Sequence, residues 1–196
     1  MNNNEEIILV EELINILGEI GKHIKKLHPR RATLLLSSKL LSFISYYRCY
    51  DLLVPTALFR FLVYLFDRYF DQRIVTLSIE ELDKVSMPEE IKNMIKREFQ
   101  GLDFRYFDFD YVLLFNRLKK DMTTLSEIVK LFGEEFEKKV VECISRAVDR
   151  ILEELREFQL RILQRALEEI KNKKSVKALE ETILECVKEI YVGVSI

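Results

Sequence analysis

Between Glu19 and Asp51 the chain carries seven cations, Lys22, Lys25, Lys26, Arg30, Arg31, Lys39 and Arg48, and no carboxylate. Lysine and arginine gathered in this way suit phosphates, because each phosphate they neutralise releases a condensed counterion. Ser38, Ser42 and Ser45 share one helical face in the same window, and hydroxyls also donate to phosphate oxygens. The window therefore reads as a nucleic-acid-binding patch on Lys22, Lys25, Lys26, Arg30, Arg31 and Lys39, or as a surface for an acidic protein. The competing expectation is structural. The cations would then pair with the acidic stretch 67–110, and the serines would let two helices approach closely.

Metal and acid–base chemistry find less support. His23 and His28 lie five residues apart, about 500° along a helix, so the two rings diverge by roughly 140°. Neither belongs to an HExxH or an ExxH pair. Five glycines, Gly18, Gly21, Gly101, Gly133 and Gly193, are too few and too scattered for a phosphate cradle, and GxxxxGK[ST], GxGxxG and GxSxG are all absent. Asp and Glu are abundant, but no pair sits in an apolar setting that would raise a carboxyl pKa. The expectation is a protein without catalytic residues, metal or cofactor.

Two further segments stand out. Gly18-Glu-Ile-Gly21 has the spacing of a GxxG loop and resembles that of KH domains, which implies a backbone clamp on four nucleotides. Here the variable pair is Glu19-Ile20, an acid that repels phosphate beside an apolar side chain unsuited to a loop. Gly18 and Gly21 are therefore read as close-packing points within a helix. In 99–115, Phe99, Phe104, Tyr106, Phe107, Phe109, Tyr111 and Phe115 interleave with Asp103, Asp108 and Asp110, and Arg105 is the lone cation of the densest part. That setting disfavours base stacking. It suits a lid over the core, or a protein-binding surface on Phe104, Tyr106 and Phe107.

The elements that position these residues are helical. Apolar positions at helical spacing run through 5–27, and His28-Pro29 ends the segment, since the residue before proline avoids the α region. Pro29 opens a second helix to about Tyr50, and Pro55 a third from Thr56 to about Phe70. The β-branched stretch 73–77 reads as a short extended piece. Ser78–Glu81, Ser86–Glu89 and Thr124–Glu127 each have the capping-box form of a helix start. Gly101 stops one helix, and Gly133 marks a junction. From Glu134 to Ile190 there is neither Gly nor Pro. Residues 134–172 read as one long helix whose stripe, Ile144, Val148, Ile151, Leu155, Phe158 and Ile162, alternates spacings of four and three as a coiled-coil seam does. Asn172-Lys-Lys-Ser175 breaks it, and Ser175 caps a last helix over 176–191.

Composition agrees. Of 196 residues, 48% are hydrophobic and 33% charged, with a net charge of −2, enough for a core but not a uniformly basic nucleic-acid binder. Low Gly and Pro disfavour an all-β fold. The mix of Glu, Lys and Arg with little Gln resembles that of thermophile proteins. No segment is long and apolar enough to span a membrane. The amino terminus lacks a basic leader, and Cys49, Cys143 and Cys186 form no CxxC pair, so a cytoplasmic location with buried, reduced thiols is expected. The fold class is all-α, a bundle of six to eight helices with a long carboxy-terminal helix. Residues 1–110 form a compact module carrying the basic helix pair, and 111–196 a long-helix region packed on it. The expected function is non-catalytic assembly or scaffolding through helix contacts. A second copy of the chain, pairing through the 144–162 seam, is the simplest partner; the alternative expectation is that the seam is covered within the single chain.

Overall fold

A computed structural model describes residues 3–100, 120 and 123–194. Among them are seven α-helices and no strand: α1 (Asn3–Ile24), α2 (Pro29–Tyr47), α3 (Leu53–Asp83), α4 (Glu89–Gln100), α5 (Thr123–Phe132), α6 (Glu134–Lys173) and α7 (Ala178–Val194). A short 3₁₀ turn, Tyr50–Leu52, joins α2 to α3. The all-α bundle with a long helix late in the chain is thus present, and α6 runs 40 residues, about 60 Å.

Local chemistry sets most of the boundaries. Pro29 occupies the first position of α2, where its missing N–H is not needed. His28 caps that helix, its Nδ1 accepting from the Arg30 N–H at 3.2 Å. Arg48 ends α2 in the left-handed region at φ 55°. Gly133, at φ 78°, serves two helices. Its N–H donates to the Val129 carbonyl of α5 at 2.9 Å, and its own carbonyl accepts from Glu137 of α6 at 3.3 Å. The break after α6 comes at Lys174, also left-handed, and Ser175 Oγ accepts from the Lys177 N–H at 3.3 Å, the capping role expected of it.

The structure corrects the sequence reading at three places. The third helix does not stop near Phe70. Residues 73–77 continue it, with Ile74 and Leu77 fully buried on one face, because three-residue spacing of buried side chains outweighs a weak β-branched preference. Ser78 and Glu81 consequently lie inside α3 and start no helix. Of the other two capping boxes, α4 begins at Glu89, with the Pro88 carbonyl taking its first bonds, and Thr124 is the second residue of α5 rather than its cap. Gly101 lies outside the described residues.

The third correction concerns Gly18 and Gly21. Both are in α1, but a Cβ built on either would meet nothing within 4 Å, so neither is a close-packing point. A glycine inside a helix costs about 0.5–1 kcal/mol relative to alanine. Gly18→Ala and Gly21→Ala are each expected to stabilise the protein by about that amount, read as a raised urea midpoint at unchanged m-value.

The chain divides into two compact units. The first, residues 1–67 and 152–196, packs α1 against α2 and includes the start of α3, the end of α6 and α7. Its core includes Leu13, Leu17, Leu40, Leu62 and Phe66, and Phe66 meets Phe158 edge-on at 6.2 Å between ring centres. Arg165 of α6 bonds to Glu185 and Glu189, one turn apart on α7. The second unit, residues 68–151, packs α4 against α5 and buries Phe70, Ile74, Leu77, Leu82 and Phe99. The chain crosses between units inside α3, after Asp67, and inside α6, after Ile151. Residue 110, where a module boundary was expected, lies outside the described residues.

Candidate functional site

The basic window folds into the corner between α1 and α2. Lys22 lies in the last turn of α1, and Lys25 and Lys26 in the turn that follows it; all three are exposed. The turn closes with the Lys26 and Leu27 N–H groups donating to the His23 carbonyl. Arg30 and Arg31 follow in the first turn of α2, which has no acidic residue. Arg31, Leu34, Leu35, Ser38, Lys39 and Ser42 continue along the exposed side of that helix.

Among the described residues the expected neutralisation by the acidic stretch is limited to Arg30. Arg30 Nη1 lies 3.9 Å from Asp67. Among the described residues no carboxylate forms an ion pair with Lys22, Lys25, Lys26, Arg31 or Lys39. Nor are the serines helix-packing positions. Ser38, Ser42 and Ser45 are all exposed, and Ser42 Oγ donates back to the Ser38 carbonyl.

A buried polar contact holds this corner in place. Gln159 of α6 donates from Nε2 to the Pro29 carbonyl at 2.7 Å and to Thr33 Oγ1 at 2.6 Å. Thr33 in turn donates to Pro29 O at 3.0 Å. All three residues are buried, so the start of α2 is tied to α6 by side-chain bonds that sequence periodicity does not reveal. A polar Gln159 between Phe158 and Leu160 was the available hint.

The α6 seam is covered. Ile144, Val148, Ile151, Leu155 and Ile162 are buried within the chain, and Phe158 is half-buried. Phe104, Tyr106 and Phe107 lie outside the described residues. A different stripe is exposed. On α3, Val54, Ala57, Phe61 and Tyr64 repeat at spacings of three and four, with Leu53 beside them, and all five face solvent. Phe61 and Tyr64 stack at 5.8 Å. Residues 53–66 carry a single charge, Arg60, so this helix is apolar nearly all round. Such a helix is normally covered on every side. The sequence shows the spacing, but with apolar residues on every face it cannot show which face is left open.

In the second unit, Glu81 is a buried carboxylate, its side chain 5% exposed. Lys84 Nζ reaches it at 2.6 Å, Arg150 Nη1 at 3.1 Å and Arg146 Nε at 3.5 Å. The bond from Lys84, helped by Arg150 and opposed by burial, holds its carboxyl below the ordinary glutamate range. Arg150 also reaches Glu80. This arrangement is an ion-pair network centred on Glu81. Because its folded pKa is lowered, Glu81 contributes stability at pH values above its unfolded pKa, and this is lost as pH falls through the folded value. Glu81→Gln is expected to cost about 1–2 kcal/mol near neutral pH, less than a fully buried pair because the cations are half in water. The loss should shrink towards zero in acid, read by urea denaturation across pH 2–7. A cost unchanged down to pH 2 would contradict it.

Cys49, Cys143 and Cys186 are buried free thiols, and burial raises the pKa of each. Among the described residues no group of three His, Cys, Asp or Glu is placed to hold a metal ion, and no helix is long and apolar enough to cross a membrane. Comparison with protein-family models, with curated proteins and with solved structures finds no match.

Proposed function

We propose that the chain is a non-catalytic assembly protein that pairs with a second copy through the exposed α3 stripe of Leu53, Val54, Ala57, Phe61 and Tyr64. The supporting observation is the open, nearly uncharged face of a helix whose other sides are buried. Its three-and-four spacing is that of a helix seam, and small Ala57 at the centre leaves room for a partner's Phe61. The Leu53, Val54, Phe61 and Tyr64 side chains, with neighbouring Tyr50, are each 39–66% exposed. Half-exposed side chains of this size offer on the order of 90 Å² each, so a pair of copies would bury about 900 Å². That is near the lower limit of a specific interface, about 1,000 Å², and implies a dimer that dissociates on dilution. One charge on the stripe selects no acidic or basic partner, and self-pairing sets apolar surface against apolar surface. This assembly uses α3 in place of the α6 seam, whose side chains are already covered.

Sedimentation equilibrium tests the reading. The protein should associate at micromolar concentrations, and Phe61→Glu with Tyr64→Glu should weaken association at least tenfold at unchanged helical content. A wild-type protein that stays monomeric at high micromolar concentration would rule it out, as would a variant that associates equally well.

A further inference from the structure

We infer that the α1–α2 corner is a nucleic-acid-binding site that reads the phosphate backbone. It stands on residues other than the α3 stripe, and its outcome is independent of the oligomeric state. Ten residues, 22–31, place Lys22, Lys25, Lys26, Arg30 and Arg31 around one turn. Four of these five are exposed and, among the described residues, paired with no carboxylate. In a protein of net charge −2, that is a local concentration of positive charge with Asp67, beside Arg30, as its one counterpart among the described residues.

The charge is also extended. From Arg31 the exposed side of α2 presents Ser38, Lys39 and Ser42. At 1.5 Å per residue, Arg31 to Ser42 covers about 16 Å, the reach of two to three consecutive phosphates on one strand. A single phosphate or carboxylate would engage only one end of such a row. A polyanion with regularly spaced phosphates engages all of it, with lysine and arginine as the charge and the serine hydroxyls as hydrogen-bond donors. The α2 amino terminus adds its partial positive charge in the same direction, unopposed by any acid in its first turn. The corner carries no Phe, Tyr or Trp side chain between Lys22 and Arg31, and four of its five cations are exposed side chains not paired with a carboxylate among the described residues. The recognition is therefore of the backbone, sequence-tolerant and strongly dependent on salt. Gln159, through Pro29 and Thr33, ties the start of α2, and with it Arg30 and Arg31, to α6.

The test uses the full chain and fluorescence anisotropy with short labelled probes of mixed sequence, one duplex DNA and one single-stranded RNA. Engagement of four to five phosphates predicts a log K against log salt slope of about −4 for the duplex and about −3 for the single strand between roughly 50 and 200 mM salt. Lys25→Glu, Lys26→Glu, Arg31→Glu and Lys39→Glu together should lower affinity by about 100-fold or more, at unchanged circular dichroism. The control reverses Lys171, Lys174 and Lys177, which lie around the turn between α6 and α7, and should lower it less than threefold. Equal losses in both variants would reduce the effect to net charge and overturn the site. No binding of either probe at low salt, or binding to anionic vesicles with none to nucleic acid, would overturn it as well.

Discussion

Thr76→Pro is expected to destabilise the protein by about 3 kcal/mol or more, enough to remove a large part of the stability of a domain this size. Thr76 is exposed, so the substitution disturbs no core side chain. Its effect comes from the backbone. Residue 76 lies well inside the 31 residues of α3, where proline removes one hydrogen bond and its ring clashes with the carbonyl four residues earlier. Were 73–77 a short extended connection, as their β-branched composition suggests, an exposed proline there would be tolerated. Urea denaturation distinguishes the two. Thr76→Ala is the companion variant and should be neutral or slightly stabilising, since alanine is the better helix former. A Thr76→Pro protein within 1 kcal/mol of wild type would contradict a continuous α3.

Ile144→Asp is expected to prevent stable folding, and Ile144→Ala to cost about 2–5 kcal/mol. Ile144 is 1% exposed within the single chain. Truncation leaves a cavity, and a carboxylate placed there loses its hydration without a partner. The same residue on an intermolecular seam would behave differently. Ile144→Asp would then yield a folded monomer, because the charge would face water once the partner left. Circular dichroism with sedimentation separates the outcomes: loss of structure identifies a core position, and a helical monomer identifies an interface. Together with Phe61→Glu and Tyr64→Glu, which should do the opposite, this variant places the core on α6 and the contact face on α3.

Much of the local structure could be read from the residues. Pro29 at a helix start, Gly133 between α5 and α6, and Ser175 after the polar run each act through their own backbone or side chain within a few residues. Their effects do not depend on what lies across the fold. The errors have a common source. Ser78 and Glu81 have the letters of a capping box, yet they sit inside α3, where Glu81 instead faces Lys84, Arg146 and Arg150. Two of those partners lie more than sixty residues away in the chain, and a capping pattern carries no information about them. Gly18 and Gly21 were likewise read from type alone, whereas close packing is a property of neighbours, and none stands within 4 Å.

The amino-acid order by itself determined that this protein is helical, where its long rod begins and ends, and that seven cations fall in one stretch without an acid. Periodicity, caps and charge are properties of residues within a turn or two of one another. Only the tertiary structure decided that the α6 ridge is covered, that one side of α3 is open and that the cations at the α1–α2 corner stay largely unneutralised. Each of these depends on which distant segment lies against a given face. A helix with apolar residues on all sides specifies that it must be covered, but not which of its faces the rest of the chain will reach.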